Sequence, residues 1–377
     1  MLSQSQAQEL FEHNGFLIVQ GMPRGSYVAL DGLAAVSDHG FEGYKFLPAG
    51  VHMFVWRAGS EDIGVRGVFL HRFSQGNVVL RRYDPSADTW RSDDELVVSQ
   101  DVLKTFDPHL AAYPFAQLPL WQSLTRNLDA SKHVIDRVFS GECDSFTPVG
   151  DDGMKLTTFD IRRSWPQEAT GAERTQLSID KSWLLERVIH DASDSEPMHV
   201  GLLAEFELCF VLALYVNNAS ALEHWASICT LFCRAATRIG APGHHTLHPC
   251  EWENSEAPLP ATFPSLDAHI AYLHALDAQL VSLPQDAWTD QLAEFEAGLL
   301  DNLVHLQRGI GRALSAWAAL SQTRDEPAPE PRFSELISAW RTLCATCRRW
   351  GWHLGAELDE EAEAESDAEE DAPVVVY

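Results

Sequence analysis

The chain has 377 residues, a formal net charge of −28 and 45% apolar residues, including twelve Trp and eighteen Phe. That length supports about two domains, and that apolar content can fill sizeable cores. The acidity excludes a direct grip on nucleic acid, which needs a basic footprint to displace counterions, and it suits basic protein partners.

Arg162-Arg163 and Arg348-Arg349 are isolated pairs that do not alter this reading. The opening residues MLSQSQAQELFEHNG have neither a charged start nor an apolar run, so no secretory signal is expected. No apolar run reaches the ~18 residues of a membrane span. Seven scattered cysteines fit a reducing compartment, cytosol or nucleus.

After a short leading helix at Ser3–His13, the first part of the chain reads as strands. The candidates are Phe16–Gln20, Ser26–Asp31, Tyr44–Leu47, Val51–Trp56, Val65–Phe73 and Val78–Tyr83. Turn-forming runs such as Met22-Pro23-Arg24-Gly25 and Ser74-Gln75-Gly76-Asn77 separate them. Short strands with such punctuation predict an antiparallel sandwich or barrel. Helical stretches follow at Asp94–Phe106, Ala116–Leu128 and Lys132–Phe139. Residues 144–176 lack a sustained period and are rich in Pro and Gly, which predicts a linker.

From Leu177 the pattern is helical. Leu202–Val216 is apolar on most sides and should be a central, buried helix. Three-and-four spacing resumes at Leu222, Trp225, Cys229 and Phe232, returns at Leu266, Ile270 and Leu273, and runs on through Leu292 to Trp317. The cleanest stripe is Phe333, Leu336, Trp340, Leu343, Cys347 and Trp350. The expected fold is therefore α+β with two domains. An antiparallel β-rich domain with flanking helices covers 1–143, a linker 144–176, and an all-α bundle 177–355. A disordered acidic tail covers 356–377.

Signs of catalysis are sparse. Cys344 and Cys347 form a CxxC, but Cys347 continues an apolar stripe and no second CxxC exists, so core packing is the better reading. His244, His245, His248 and Cys250 cluster in a loop at a spacing that matches no standard zinc pattern. Asp31-Gly32 lacks the partner carboxylate of an acid protease. Glu223 and His224 flank Trp225, which lies on a core stripe. Phosphate loops, nucleophile elbows and HExxH are all missing. No enzyme, cofactor or metal is expected.

The tail is the most distinctive segment. Glu357 to Asp371 carries ten carboxylates in fifteen residues, and Ala372, Pro373, Val374, Val375, Val376 and Tyr377 follow. The acidic run should repel itself and stay extended. The last five residues have high strand propensity and suit addition to a partner's sheet edge; a frayed terminus is the bland alternative. Ser366 sits among carboxylates, a setting that suits an acidophilic kinase, and phosphate there would add about −2 of charge.

Several strings are familiar in order. Met22-Pro23-Arg24-Gly25, Asp31, Phe41–Trp56, Tyr113–Thr125, Asp180–Ile189 and Ala221–Trp225 precede Arg349-Trp350, the acidic run and Ala372–Val376. Together they resemble the AAR-two splicing factor family across nearly the whole chain. The resemblance implies a non-enzymatic assembly factor of the U5 small nuclear ribonucleoprotein, cytoplasmic and nuclear. Its implied partner is the large U5 scaffold protein, bound through RNase-H-like and Jab/MPN-like domains, with premature helicase binding held off. It also implies that Pro373, Val374, Val375, Val376 and Tyr377 form the bridging strand, on a denser acidic tether than relatives commonly carry. The competing reading is an acidic chaperone for a basic ligand such as a histone or ribosomal protein. A metallohydrolase built on the His loop is a further alternative.

Overall fold

The computed structural model describes residues 4–38, 40–60, 63–92, 100–138, 143–193, 199–235, 239, 264–289, 292–323, 330–355 and 358. They divide into two compact units that interleave along the chain. The first comprises Met1–Thr158 with Asp194–Trp225, and the second Phe159–Ser193 with Ala226–Tyr377. A β-rich region is followed by an α-helical bundle.

In the first unit, α1 (Gln4–His13) leads into β1 (Gly15–Gln20), β2 (Tyr27–Leu30), β3 (Leu33–Val36) and β4 (Gly43–Leu47). Next come β5 (Gly50–Arg57), β6 (Gly67–Phe73), β7 (Val78–Asp84) and β8 (Thr89–Ser92). After α2 (Gln100–Phe106), a two-residue β9 (Ala111–Ala112) precedes α3 (Leu118–Leu124), α4 (Arg126–Ala130) and α5 (Val134–Val138), and β10 (Cys143–Asp144) follows.

One sheet has the order β8-β7-β1-β4-β9 and the other β10-β6-β5-β2-β3. The second is antiparallel throughout. The first is mixed, which corrects the all-antiparallel expectation: β1 runs parallel to β7, and β4 parallel to β9. Its cause is connectivity. The chain reaches β7 from β6 of the other sheet, not by a hairpin from β1. Both sheets keep free edges among the described residues, so the sandwich alternative holds and no closed barrel is seen.

The main core lies between the sheets. Leu17 and Val19 of β1 join Val28, Leu30, Phe54, Trp56, Tyr83 and Trp90 there. Alternate residues Phe16 and Ile18 point the other way and pack with Leu103, Leu110 and Phe11. β1 is thus apolar on both faces, because helical segments cover its outer side. The expected helix Ala116–Leu128 is broken at Thr125 into α3 and α4. Thr125 has ψ of 22° and bonds its hydroxyl back to Trp121 O, a local competition with the helix ladder.

The apolar stretch of 202–216 forms α8 (Val200–Val211), every residue of which is buried, and a π-helical turn, Leu212–Val216. The turn ends at Asn217 in the left-handed region. Asn218 then starts α9 (Ala219–Arg234) by accepting a bond from Ala221 N, while its amide donates to Asp144 O and Thr147 O.

The second unit contains α6 (Gly171–Ile179), α7 (Ser182–Ala192), the later turns of α9, α10 (Pro264–Ser282), α11 (Ala293–Thr323) and α12 (Glu330–Arg349). α6 starts inside the expected linker, behind a capping box of Thr170 and Glu173. Phe232 stacks on Tyr272 at 4.5 Å, and α10 packs along α12, with Thr346 bonded to Asp277 at 2.6 Å. Trp340, Leu343, Cys344 and Cys347 are fully buried.

Candidate functional site

A buried polar constellation lies in the first unit. Asp31 opens the two-residue turn between β2 and β3, with φ of 51°, and Gly32 follows with φ of 82°. Paired positive φ values define the tight hairpin turn that Asp-Gly favours. The conformation aims the Asp31 carboxylate inward. One oxygen accepts Met53 N–H at 2.9 Å, while the other accepts Tyr113 O–H at 2.7 Å and His52 Nδ1–H at 2.6 Å. His52 Nε2 meets Pro48 O at 3.0 Å. Both imidazole nitrogens face oxygen atoms.

Asp, His and Tyr in contact resemble a catalytic relay, yet the side chains of His52 and Asp31 are 2% and 0% exposed. Both side chains are closed off from solvent. The group instead ties β2, β5 and the segment after β9 together. Burial, and behind it the Asp31 charge, pushes the Tyr44 and Tyr113 hydroxyls well above the usual range and Tyr215 up to about 12.

α8 carries a second constellation, two carboxylates within its apolar run. Glu205 accepts Thr157 N–H at 2.9 Å and Thr157 Oγ1–H at 2.7 Å, pairs with Arg137, and lies 3.7 Å from His224 Nε2. Glu207 caps the start of α4, accepting Asn127 N–H at 2.7 Å, Leu128 N–H at 2.8 Å and Asn127 Nδ2–H at 2.6 Å. Burial pushes the Glu207 carboxyl up to about 8, against the pull of those three donors. The signal was present in the sequence: two Glu in an otherwise apolar helix must each have partners.

Other candidates resolve as packing. Cys344 and Cys347 are buried, and burial raises their thiols to about 11 and about 12. Such thiols are poor nucleophiles at neutral pH. Trp225 is buried and stacks on Phe206, with ring planes 5° apart. Trp121 is buried and donates to Val51 O at 2.7 Å, and Trp288 packs 4.8 Å from Trp352. Trp165 and Trp183 are half-buried. Among the described residues no three His, Cys, Asp or Glu side chains gather as a metal group. His244, His245, His248, Cys250, Ser366 and the expected strand Pro373–Tyr377 lie outside the described residues.

These sites are internal braces. Comparison with known proteins identifies the family. The family model described as the AAR2 N-terminal domain matches residues 13–140, and that of the AAR2 C-terminal repeat region matches 156–355. The AAR2 homolog of Homo sapiens is 27% identical over 290 residues, covering 64% of this chain and 74% of that protein. That of Mus musculus is 26% identical with the same coverage. The Caenorhabditis elegans homolog is 28% identical over 120 residues, 31% of this chain and 33% of that protein. With both family models matched in order across most of its length, the chain belongs to the AAR2 family.

Proposed function

We propose that this protein is a non-enzymatic assembly factor of the U5 small nuclear ribonucleoprotein. In this reading it binds the RNase-H-like and Jab/MPN-like domains of the large U5 scaffold protein and holds off premature helicase binding. It works in cytoplasm and nucleus. Family membership carries the coarser part, a non-catalytic, protein-binding role in splicing assembly. The sequence modules are 1–143 and 177–355, joined by 144–176 and followed by the tail 356–377.

The observation that carries the finer part is the sequence of the tail. Pro373 lacks a donor N–H and suits the start of an added strand, and Val374, Val375 and Val376 present β-branched side chains alternately to the two faces of a receiving sheet. The fifteen-residue acidic run acts as a tether that spans at most ~50 Å. Net charge of −28 keeps such a factor on protein surfaces of the particle and away from RNA.

Deleting Pro373–Tyr377 while keeping the acidic run separates this reading from a charge-cloud chaperone. Strand donation predicts loss of tail docking, with binding of the intact chain only modestly sensitive to salt. A charge cloud predicts little effect of the deletion and a steep loss of binding as salt rises.

A further inference from the structure

The β2–β3 hairpin ends its sheet in an unguarded strand. β3 is the edge of the order β10-β6-β5-β2-β3, and all four of its residues are exposed, with Leu33 at 48% and Val36 at 70%. Its register pairs Leu33 with Leu30, Ala34 with Ala29, Ala35 with Val28 and Val36 with Tyr27. One residue further on, Ser37 N donates to Ser26 O at 2.8 Å. Bonded pairs alternate in an antiparallel ladder, so Ser37, Ala35 and Leu33 bond toward β2. The N–H and C=O groups of Ala34 and Val36 therefore point away from the sheet. Among the described residues nothing bonds to them.

Natural sheets protect such edges with charge, proline, a bulge or a very short strand. β9 and β10 are two residues long, and β8 carries Arg91. β3 reads Leu-Ala-Ala-Val, with no charge, proline or register shift. We propose that β3 is a docking edge that receives an extended segment of another protein, apolar at alternate positions and flanked by basic residues.

Charge selects that occupant. Between Gly32 and Gly43 the ionised side chains are Asp38 and Glu42, with no Lys or Arg among them. The Asp38 side chain is 85% exposed and lies 3.9 Å from Arg24. A second copy brings a further −28. The chain's own tail would bring ten carboxylates toward Asp38. A basic-flanked partner strand meets neither obstacle. The inference stands independently of which protein the tail binds.

The test uses the intact chain and a fluorescein-labelled Lys-Val-Thr-Val-Thr-Val-Lys peptide, read by fluorescence anisotropy. A control peptide carries N-methyl groups on alternate residues, which removes backbone donors but keeps the charge. The variants are Ala34→Pro, which deletes an outward N–H that the hairpin does not use, and Val36→Lys, which keeps every backbone group. Unchanged thermal melting establishes that each variant folds; if Ala34→Pro melts early, Val36→Lys is read alone. Saturable binding that is at least ~10-fold weaker for the methylated peptide and for each folded variant supports the docking edge. Equal binding of both peptides, or of wild type and variants, overturns it. So does peptide binding that appears only after residues 359–377 are deleted, or self-association that Val36→Lys abolishes.

Discussion

Gly32 leaves room for the ring of Tyr215: a Cβ added at Gly32 would lie 2.5 Å from Tyr215 Cζ. The turn that aims Asp31 inward therefore fits against the π-helical turn closing α8, and each accommodates the other. Arg66 strengthens this corner by donating to Tyr215 O at 2.9 Å and stacking over Tyr27.

Gly32→Ala should accordingly destabilise the first unit. Alanine meets both the positive φ and the Tyr215 ring, together about 2–4 kcal/mol. Denaturant unfolding followed through hydrogen exchange of β2 and β5 amides should show the loss. Adding Tyr215→Ala should recover part of it, whereas a fully additive double variant would show that ring contact is not the cause.

The Asp31 group predicts unequal costs. Asp31→Ala strands a buried His52 and Tyr113 without their acceptor and should cost about 3–5 kcal/mol. Tyr113→Phe leaves Asp31 bonded to His52 and Met53 and should cost only about 1–2 kcal/mol. Equal losses in the two unfolding curves would contradict a shared carboxylate hub.

Glu207 makes stability depend on pH. Its folded value of about 8 lies above the ordinary 4.5, so between those values the folded chain holds a proton that the unfolded chain releases. Stability is then full below about pH 4.5 for this group and falls as pH rises toward 8, by ~5 kcal/mol over the window. Glu207→Gln should flatten that slope in unfolding midpoints measured from pH 5 to 8. A slope of wild-type size in the variant would assign the dependence to other groups.

Much of this scaffold was legible in the chain, for physical reasons. β1, β4, β5, β6 and β7 were readable because strongly β-prone runs such as GFLIVQ and GVHMFVWR lie between turn residues. β3 is not marked by composition, because Leu-Ala-Ala-Val has weak strand propensity, although Asp31-Gly32 before it is a hairpin signal. The parallel pairing of β1 with β7 depends on a contact about sixty residues distant, which local pattern does not encode. α8 was recognisable as buried from its all-round apolarity, but not as part of the β-rich unit, since apolarity does not name the surface that covers it. The capping box at Thr170 and Glu173 is readable in the chain and marks a helix inside a segment that lacks a sustained hydrophobic period.

The central claim is protein binding to the U5 scaffold, with the terminal strand as donor. Its most direct test is a pull-down of the isolated RNase-H-like domain of that scaffold by the intact chain, at physiological salt, beside a chain lacking Pro373–Tyr377. The account predicts stoichiometric capture by the intact chain and a marked loss on deletion. Failure of the intact chain to capture the domain would contradict it.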